Sequence, residues 1–157
     1  MIQRVQSLYY LVCMILIGFC LSGIDIYKFV HQNFYYSFNA YGFNLVDNNE
    51  KIISTDKGYF YLGGIALILL TFYTLMLYKN LKKQMKMSRI TSFAYLIMIV
   101  SLVIFGATGG KYFFNGDNSR ELGAGFSLLV IAFPFSYLAQ LAIKRDKKLL
   151  DSLNRLR

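Results

Sequence analysis

The sequence is poor in the residues that bind metals or carry out redox reactions, and in the charged residues that cover soluble proteins. It has one histidine, two cysteines, one proline and no tryptophan. Only 16% of its residues are charged, against about a quarter in a soluble domain, which argues against a soluble globular protein. The single histidine, His31, has no partner ligands in the pattern and is interpreted as an ordinary loop residue. We therefore predict no cofactor, and haem held by histidines inside a bundle is excluded.

The two cysteines lie in one apolar stretch of the sequence. Cys13 and Cys20 have no histidine or carboxylate near them along the chain. A thiol in such surroundings behaves as a small apolar side chain. Buried, inert thiols are favoured over a metal site or a disulfide.

Apolar residues make up 56% of the chain and are gathered into long stretches. A bilayer core about 30 Å thick needs roughly 20 residues of apolar helix to cross it. The stretches that meet this length predict four membrane helices, at residues 6–24, 59–78, 90–110 and 122–143. We predict an all-α membrane protein that forms a single domain over residues 1–157, a bundle of four transmembrane helices.

The four stretches contain no Asp, Glu, Lys, Arg or His. Proton and ion relays use such residues within the membrane, so a coupled transporter is disfavoured. No A-x-A cleavage site follows the first stretch, and it is interpreted as a retained helix. With no nucleophile–base pair or metal cluster in the spans, we expect that the protein is not an enzyme.

The basic residues are unevenly divided between the two sides. Net charge is +9, but the charge lies beside the apolar stretches, which indicates membrane orientation rather than nucleic acid. The N-terminus, an inner loop over 79–89 and a tail over 144–157 hold twelve Lys and Arg, against five in the outer segments 25–58 and 111–121. This bias predicts cytoplasmic N- and C-termini.

The basic residues of the inner loop and tail form the candidate functional surface. They would touch anionic lipid or a partner protein. The candidates are Lys79, Lys82, Lys83, Lys86, Arg89, Lys144, Arg145, Lys147, Lys148, Arg155 and Arg157.

The outer segment 25–58 is rich in aromatics and extended in pattern. Residues 34–46 read as extended chain with a bend at Gly42, residues 47–50 as a turn, and residues 51–55 as a return strand. We predict a short β-hairpin or small sheet, a hairpin-like cap over the outer ends of the helices. The segment 111–121 is predicted as a short turn-rich connection.

Two further patterns concern the helices. The tail has leucines at helical spacing, so it either extends the fourth helix or turns to lie at the interface. Small residues occur at packing spacing and are interpreted as contacts between the chain's own helices, rather than a dimer seam. These pairs are Gly18 with Ser22, Gly106 with Gly110, and Gly123 with Ser127.

Several stretches resemble one family. They are the opening residues 1–9, the inner loop 78–86, the outer segment with Gly42 and residues 53–55, and the closing residues 147–157. Together they are similar to an uncharacterised four-pass inner-membrane family of Bacteroidota, a domain of unknown function. The resemblance implies a bacterial inner-membrane protein and no particular reaction.

Two functional hypotheses remain. The first is a non-enzymatic accessory or scaffold subunit of a membrane complex, which acts on other membrane proteins through its cytoplasmic tail and its outer cap. The alternative is binding of a lipid, a quinone or a small apolar ligand within the bundle, beside Pro134 and the outer aromatics.

Overall fold

Four α-helices form a ring in the computed structural model, which describes residues 5–31, 34–47, 51–113 and 119–155. Each helix packs beside its neighbours in the chain, and the first also packs beside the fourth. Their bounds are α1 Val5–Leu21, α2 Phe60–Met76, α3 Leu81–Phe113 and α4 Ala124–Arg155, with a short 3-10 turn at Leu77–Lys79.

Three of these helices are long and apolar enough to cross a membrane, where α2 is counted together with the 3-10 turn that follows it. The apolar lengths are Phe60–Lys79, Leu81–Thr108 and Ala124–Leu149. The helix α1 is apolar but has 17 residues, which gives about 25 Å at 1.5 Å per residue. The outward faces carry exposed large apolar side chains, for example Leu8, Leu69 and Phe93. Such a surface suits hydrocarbon rather than water.

The helices end at different residues from those predicted. Helix α3 begins at Leu81 and not at 90, so most of the predicted inner loop 79–89 is helical. Its first turns are rich in Leu, Lys, Gln and Met, which are good helix formers. Helix α4 runs on to Arg155, so the tail extends the fourth helix and does not turn away. Helix α1 stops before 24 because the chain turns at Gly23, where φ is +96°.

The connections form a five-stranded antiparallel sheet, so of the two predicted forms of the cap, a hairpin or a small sheet, the structure has the sheet. The strands are β1 Tyr27–His31, β2 Phe34–Asn39, β3 Gly42–Asp47, β4 Ile52–Lys57 and β5 Ser119–Leu122, in the spatial order β4-β3-β2-β1-β5. The predicted all-α class is therefore incomplete, and the predicted connection 111–121 supplies an edge strand. Single-segment patterns miss β5 because it has four residues and pairs with the distant β1.

The sheet defines the two ends of the bundle. Because β5 pairs with β1, the α1–α2 and α3–α4 connections lie at one end, called the sheet end. The opposite end holds the α2–α3 junction, the start of α3 and the last turns of α4, and we call it the basic end.

A tight turn between β2 and β3 depends on Gly42, as the predicted bend required. Its φ is +144°, and a Cβ there would collide with the Asp56 carbonyl oxygen. The Asn39 carboxamide oxygen accepts bonds from the backbone N–H groups of Tyr41 at 2.9 Å and of Gly42 at 3.1 Å. A glycine is therefore needed for both conformation and space.

The sheet packs on the helix ends through aromatic rings. Phe38 of β2 is 5% exposed, and its ring centroid lies 4.7 Å from that of Phe105, 4.8 Å from Phe43 and 5.6 Å from Phe60. The buried members of this aromatic cluster are Cys20, Ile26, Tyr27, Phe29, Phe38, Leu102 and Leu129. Rings of the sheet thus fill the space between the helix ends.

The predicted small-residue contacts between helices are wrong at three glycines. A Cβ at Gly18 would meet nothing within 4 Å, whereas at Gly106 it would lie 2.7 Å from the Tyr27 ring, and at Gly123 it would strike the Asp25 carbonyl. Gly106 and Gly123 instead leave room for the Tyr27 ring of β1 and for the backbone at Asp25. The prediction for the cysteines is confirmed in that Cys13 and Cys20 are buried and free.

Candidate functional site

Buried polar side chains run from the basic end toward the middle of the bundle, and we call them the polar seam. In the described chain their exposed fractions are 7% or less. The seam consists of Gln6, Tyr10, Thr71, Thr74, Gln84, Ser88, Thr91, Ser92, Tyr95 and Ser136.

Helix α3 supplies the centre of the polar seam. Gln84, Ser88, Thr91 and Tyr95 recur three or four residues apart, which places them on one face of a helix. On that face the Gln6 amide donates to the Gln84 carboxamide oxygen at 3.4 Å. These contacts join α3 to α1 across the ring.

The remaining members extend the seam. The Tyr10 hydroxyl donates to Ser88 Oγ at 2.8 Å. The hydroxyls of Thr74 and Thr91 are 2.8 Å apart and those of Thr71 and Tyr95 are 3.1 Å apart, so both pairs join α2 to α3. The Ser136 hydroxyl lies 3.3 Å from that of Ser92 and joins α4 to α3. Helix α3 is thus hydrogen-bonded to every other helix.

The chemistry of the seam is that of a helix contact. Its groups are amides and hydroxyls, and among its members Gln6 Oε1 is buried without a hydrogen-bond partner. Within the described ranges, no three His, Cys, Asp or Glu lie close enough to hold a metal ion. Between membrane helices, hydroxyl and amide side chains serve as interhelical contacts.

The basic candidates come together at the basic end. Lys79 closes the 3-10 turn, and the first turns of α3 carry Lys82, Lys83, Lys86 and Arg89. The last turns of α4 carry Lys144, Arg145, Lys147, Lys148 and Arg155, while Arg157 lies outside the described residues. All of these described side chains are exposed except Lys147, which is half-buried, and Arg155, which is placed by its backbone alone.

A shared apolar cluster fixes the two basic helices relative to each other. Met85 of α3 packs with Ile143 and Ala139 of α4 and with Tyr10 of α1. The described basic residues of α3 and α4 therefore lie at one end of the bundle as one charged platform, rather than on two separate segments.

The two edges of the sheet differ. All six residues of β4 are exposed, including Ile52 at 61% and Ile53 at 55%. At the other edge, β5 has four residues and carries Arg120 and Glu121. Short strands and charged side chains are the usual protection of an edge. Strand β5 is short and carries charged side chains. Strand β4 has six residues and no charged side chain at its first four positions.

Burial also affects a phenol outside the spans. Desolvation raises the pKa of the Tyr27 hydroxyl above its ordinary value. Its ring lies 5.5 Å from that of Phe126 at the end of the bundle. Tyr27 therefore stays neutral and acts as a packing residue between β1 and the helices.

The polar seam is the part of the site that sequence reasoning missed. The spacing of Gln84, Ser88, Thr91 and Tyr95 is visible in the sequence. The predicted start of the third helix at 90 removed the first two from consideration, so the continuous polar face was not seen.

Comparison with known proteins gives a family but no activity. The family described as a domain of unknown function, DUF4293, matches residues 2–156. A match over nearly the whole chain to a domain of unknown function agrees with the resemblance, while the bacterial group and the four crossings stay predictions. A search of curated proteins finds no match.

Proposed function

Since the chain belongs to the family described as a domain of unknown function, DUF4293, we propose a role from its own surfaces: a non-enzymatic accessory subunit of a membrane complex. In this role the sheet binds a partner protein on the outer side. The basic end orients the subunit and holds it at the lipid surface.

The orientation belongs to this proposal. The protein crosses the bacterial inner membrane four times, with both termini in the cytoplasm. Support comes from the two ends, because the strands gather at one and the basic residues at the other, as the positive-inside bias requires. The 17 residues of α1 span by local thinning of the bilayer, a modest cost for a short helix.

Topology reporters test the orientation directly. A reporter fused after Arg157 is expected to be active only in its cytoplasmic form, and one inserted at Asn48 only in its periplasmic form. Opposite activities at both positions would reverse the orientation. The same side for both would rule out the bundle as proposed.

The open strand β4 carries the proposal of a partner. Its neighbour on one side is β3, and it is the last strand of the sheet on the other. An exposed edge offers unpaired backbone N–H and C=O groups to an added strand. Ile52 and Ile53 alternate across the two faces of β4, so an added strand with apolar side chains would cover both.

Photo-crosslinking in native membranes tests this. A benzophenone side chain at Ser54 is expected to yield one reproducible protein adduct, and the same probe at Arg120 of β5 serves as the matched control. The substitution Ile53→Lys places a charge on the edge and is expected to abolish the Ser54 adduct. Equal adducts at both positions, or none at Ser54, would reject β4 as the binding edge.

The ligand-binding alternative gains support at a different place from the one expected. The aromatics Phe38, Phe43 and Phe105 fill the cluster under the sheet, so they do not frame a slot beside Pro134. A groove at the basic end, lined by apolar and charged side chains, favours a lipid.

A further inference from the structure

A groove of about 340 Å³ lies between the start of α1 and the last turns of α4. Val5 and Tyr9 of α1 and Leu141 of α4 form its apolar walls, and Arg145 and Asp146 lie on its charged side. It is open to the outside of the bundle because Val5 and Leu141 are 51% and 42% exposed. A ligand there would be a neighbour of the bundle rather than a molecule enclosed by it.

The depth of this groove matches the border between lipid tails and headgroups. The uncharged part of α4 runs over residues 124–143, about 30 Å of helix, which equals the thickness of the hydrocarbon core. Lys144 follows directly after it, and Arg145 and Asp146 come next. The charged side of the groove therefore lies level with the lipid phosphates, and the walls lie level with the first part of the acyl chains.

The two charges in the groove have opposite signs. Within the described part of the chain the ion pair is Asp25 with Lys28, and none joins Arg145 or Asp146 to another residue within 4 Å. Both charges are thus available to a ligand. The guanidinium of arginine binds phosphate through paired N–H donors, and a carboxylate accepts hydrogen bonds from an ammonium group.

We propose that this groove binds the headgroup of phosphatidylethanolamine, with the phosphate at Arg145 and the primary ammonium at Asp146. Ethanolamine separates these two groups by a short two-carbon link, and Arg145 and Asp146 both line the same groove. The acyl chains of the lipid lie along Val5, Tyr9 and Leu141. The site does not depend on the partner proposed for β4.

The carboxylate distinguishes this lipid from the others of a bilayer. Phosphatidylglycerol has a net negative charge that Asp146 repels, and it has no cation to offer. Phosphatidylcholine carries a quaternary ammonium without N–H donors, so it makes no hydrogen bond to the carboxylate. The exposed Lys144 and Lys148 lie outside this groove and attract anionic lipid without selecting a headgroup.

Lipid titration with the purified full-length protein tests the site. Native mass spectrometry from detergent would compare the ethanolamine, choline and glycerol lipids with identical acyl chains. We expect about a tenfold preference for the ethanolamine lipid over the choline lipid, which corresponds to about 1.4 kcal/mol. The glycerol lipid also binds at the exposed lysines outside the groove, so the ethanolamine and choline lipids, which have the same net charge, decide the test. Equal binding of these two lipids, or tighter binding of the choline lipid, would overturn the proposal.

Variants separate the two contacts. Asp146→Asn is expected to remove the preference for ethanolamine over choline while leaving overall phospholipid binding in place. Arg145→Gln is expected to weaken all three lipids. Asp151→Asn and Lys148→Gln are matched controls outside the groove, and thermal unfolding in detergent would verify that each variant is folded. A preference that survives Asp146→Asn would reject the carboxylate contact.

Discussion

At the sheet end the helices are joined by rings, and toward the basic end they are joined by amides and hydroxyls. The aromatic cluster around Phe38 and Tyr27 contains side chains from both the strands and the helices. In the polar seam, Ser88 and Thr91 of α3 meet hydroxyls of α1 and α2 at 2.8 Å. The elements of this short chain are therefore held together by aromatic packing at one end and by hydrogen bonds between polar side chains toward the other.

The surroundings of each half account for the difference. At the sheet end, the strands cover the ends of the helices. Burial of the aromatic rings between strands and helices removes apolar surface from water. Between helices in hydrocarbon there is no such gain, because lipid tails are as apolar as leucine. Packing and interhelical hydrogen bonds remain, and an interhelical hydrogen bond in a membrane is worth about 0.6 kcal/mol on average. Mutations should therefore cost more per side chain at the sheet end.

The largest effect is expected for Phe38→Ala. It removes a buried ring that contacts Phe43, Phe60 and Phe105, at a cost of about 3–5 kcal/mol in the free energy of unfolding. Denaturant unfolding in mild detergent, followed by near-UV circular dichroism of the tyrosines, would measure it. Phe34→Ala is the control, since Phe34 is 39% exposed and should lose little. Similar losses for both variants would contradict the aromatic cluster.

The second effect sharpens the comparison at the junction of sheet and helix. Gly106→Leu places a side chain where the Tyr27 ring lies, and that ring is held by Phe29 and Phe126 at 6.2 and 5.5 Å. Overpacking should cost about 3 kcal/mol, measured by the same unfolding experiment. Gly18→Leu faces open space and should be neutral or stabilise by up to about 1 kcal/mol through helix propensity. Equal tolerance at both glycines would refute the close approach at Gly106.

The third effect breaks the polar seam. Gln84→Leu leaves the buried Gln6 amide without its partner and should cost about 2 kcal/mol. Replacing both, as Gln6→Leu with Gln84→Leu, removes the orphaned group along with Gln6 Oε1, which has no partner to lose. The double variant should therefore be more stable than the single one. Additive losses would argue that the two amides act independently.

The smallest effect is expected for Tyr95→Phe. It deletes the hydroxyl contact with Thr71, which keeps its bond to the Leu67 carbonyl at 2.7 Å. We expect a loss of about 0.6 kcal/mol in the same unfolding measurement. Tyr137→Phe is the control because Tyr137 is 49% exposed and should show no change. A loss above about 2 kcal/mol would mean that this contact contributes more than interhelical hydrogen bonds in a membrane usually do.

The helices were predictable to the extent that apolar length defines them. All four were found, and of the two outcomes left open for the tail, the structure shows that it extends α4. The start of α3 was missed because Lys82, Lys83 and Lys86 mark the end of an apolar stretch and not the end of a helix. Charged residues indicate where the membrane ends, but the helix itself continues beyond that point.

The sheet was predictable only where it is local. The extended pattern and Gly42 identified the β2–β3 turn, because both strands lie within one short segment. The β1–β5 pairing joins segments about 90 residues apart along the chain, and Ser119–Leu122 has no strand pattern of its own. The basic residues themselves could be identified from the sequence. That they form one platform depends on contacts between α3 and α4, which the sequence pattern does not contain.

The β1–β5 pairing also sets an order of events during synthesis. Strand β1 is bonded on one side to β2 and on the other to β5, and β5 begins 62 residues after β4 ends. At 5–20 residues per second this interval lasts roughly 3–12 s. Until β5 is made, β1 is an edge strand of the nascent sheet, and β5 then covers it. A chain that stalls after α3 would thus keep unpaired backbone groups along β1, which a protease or a chaperone can recognise.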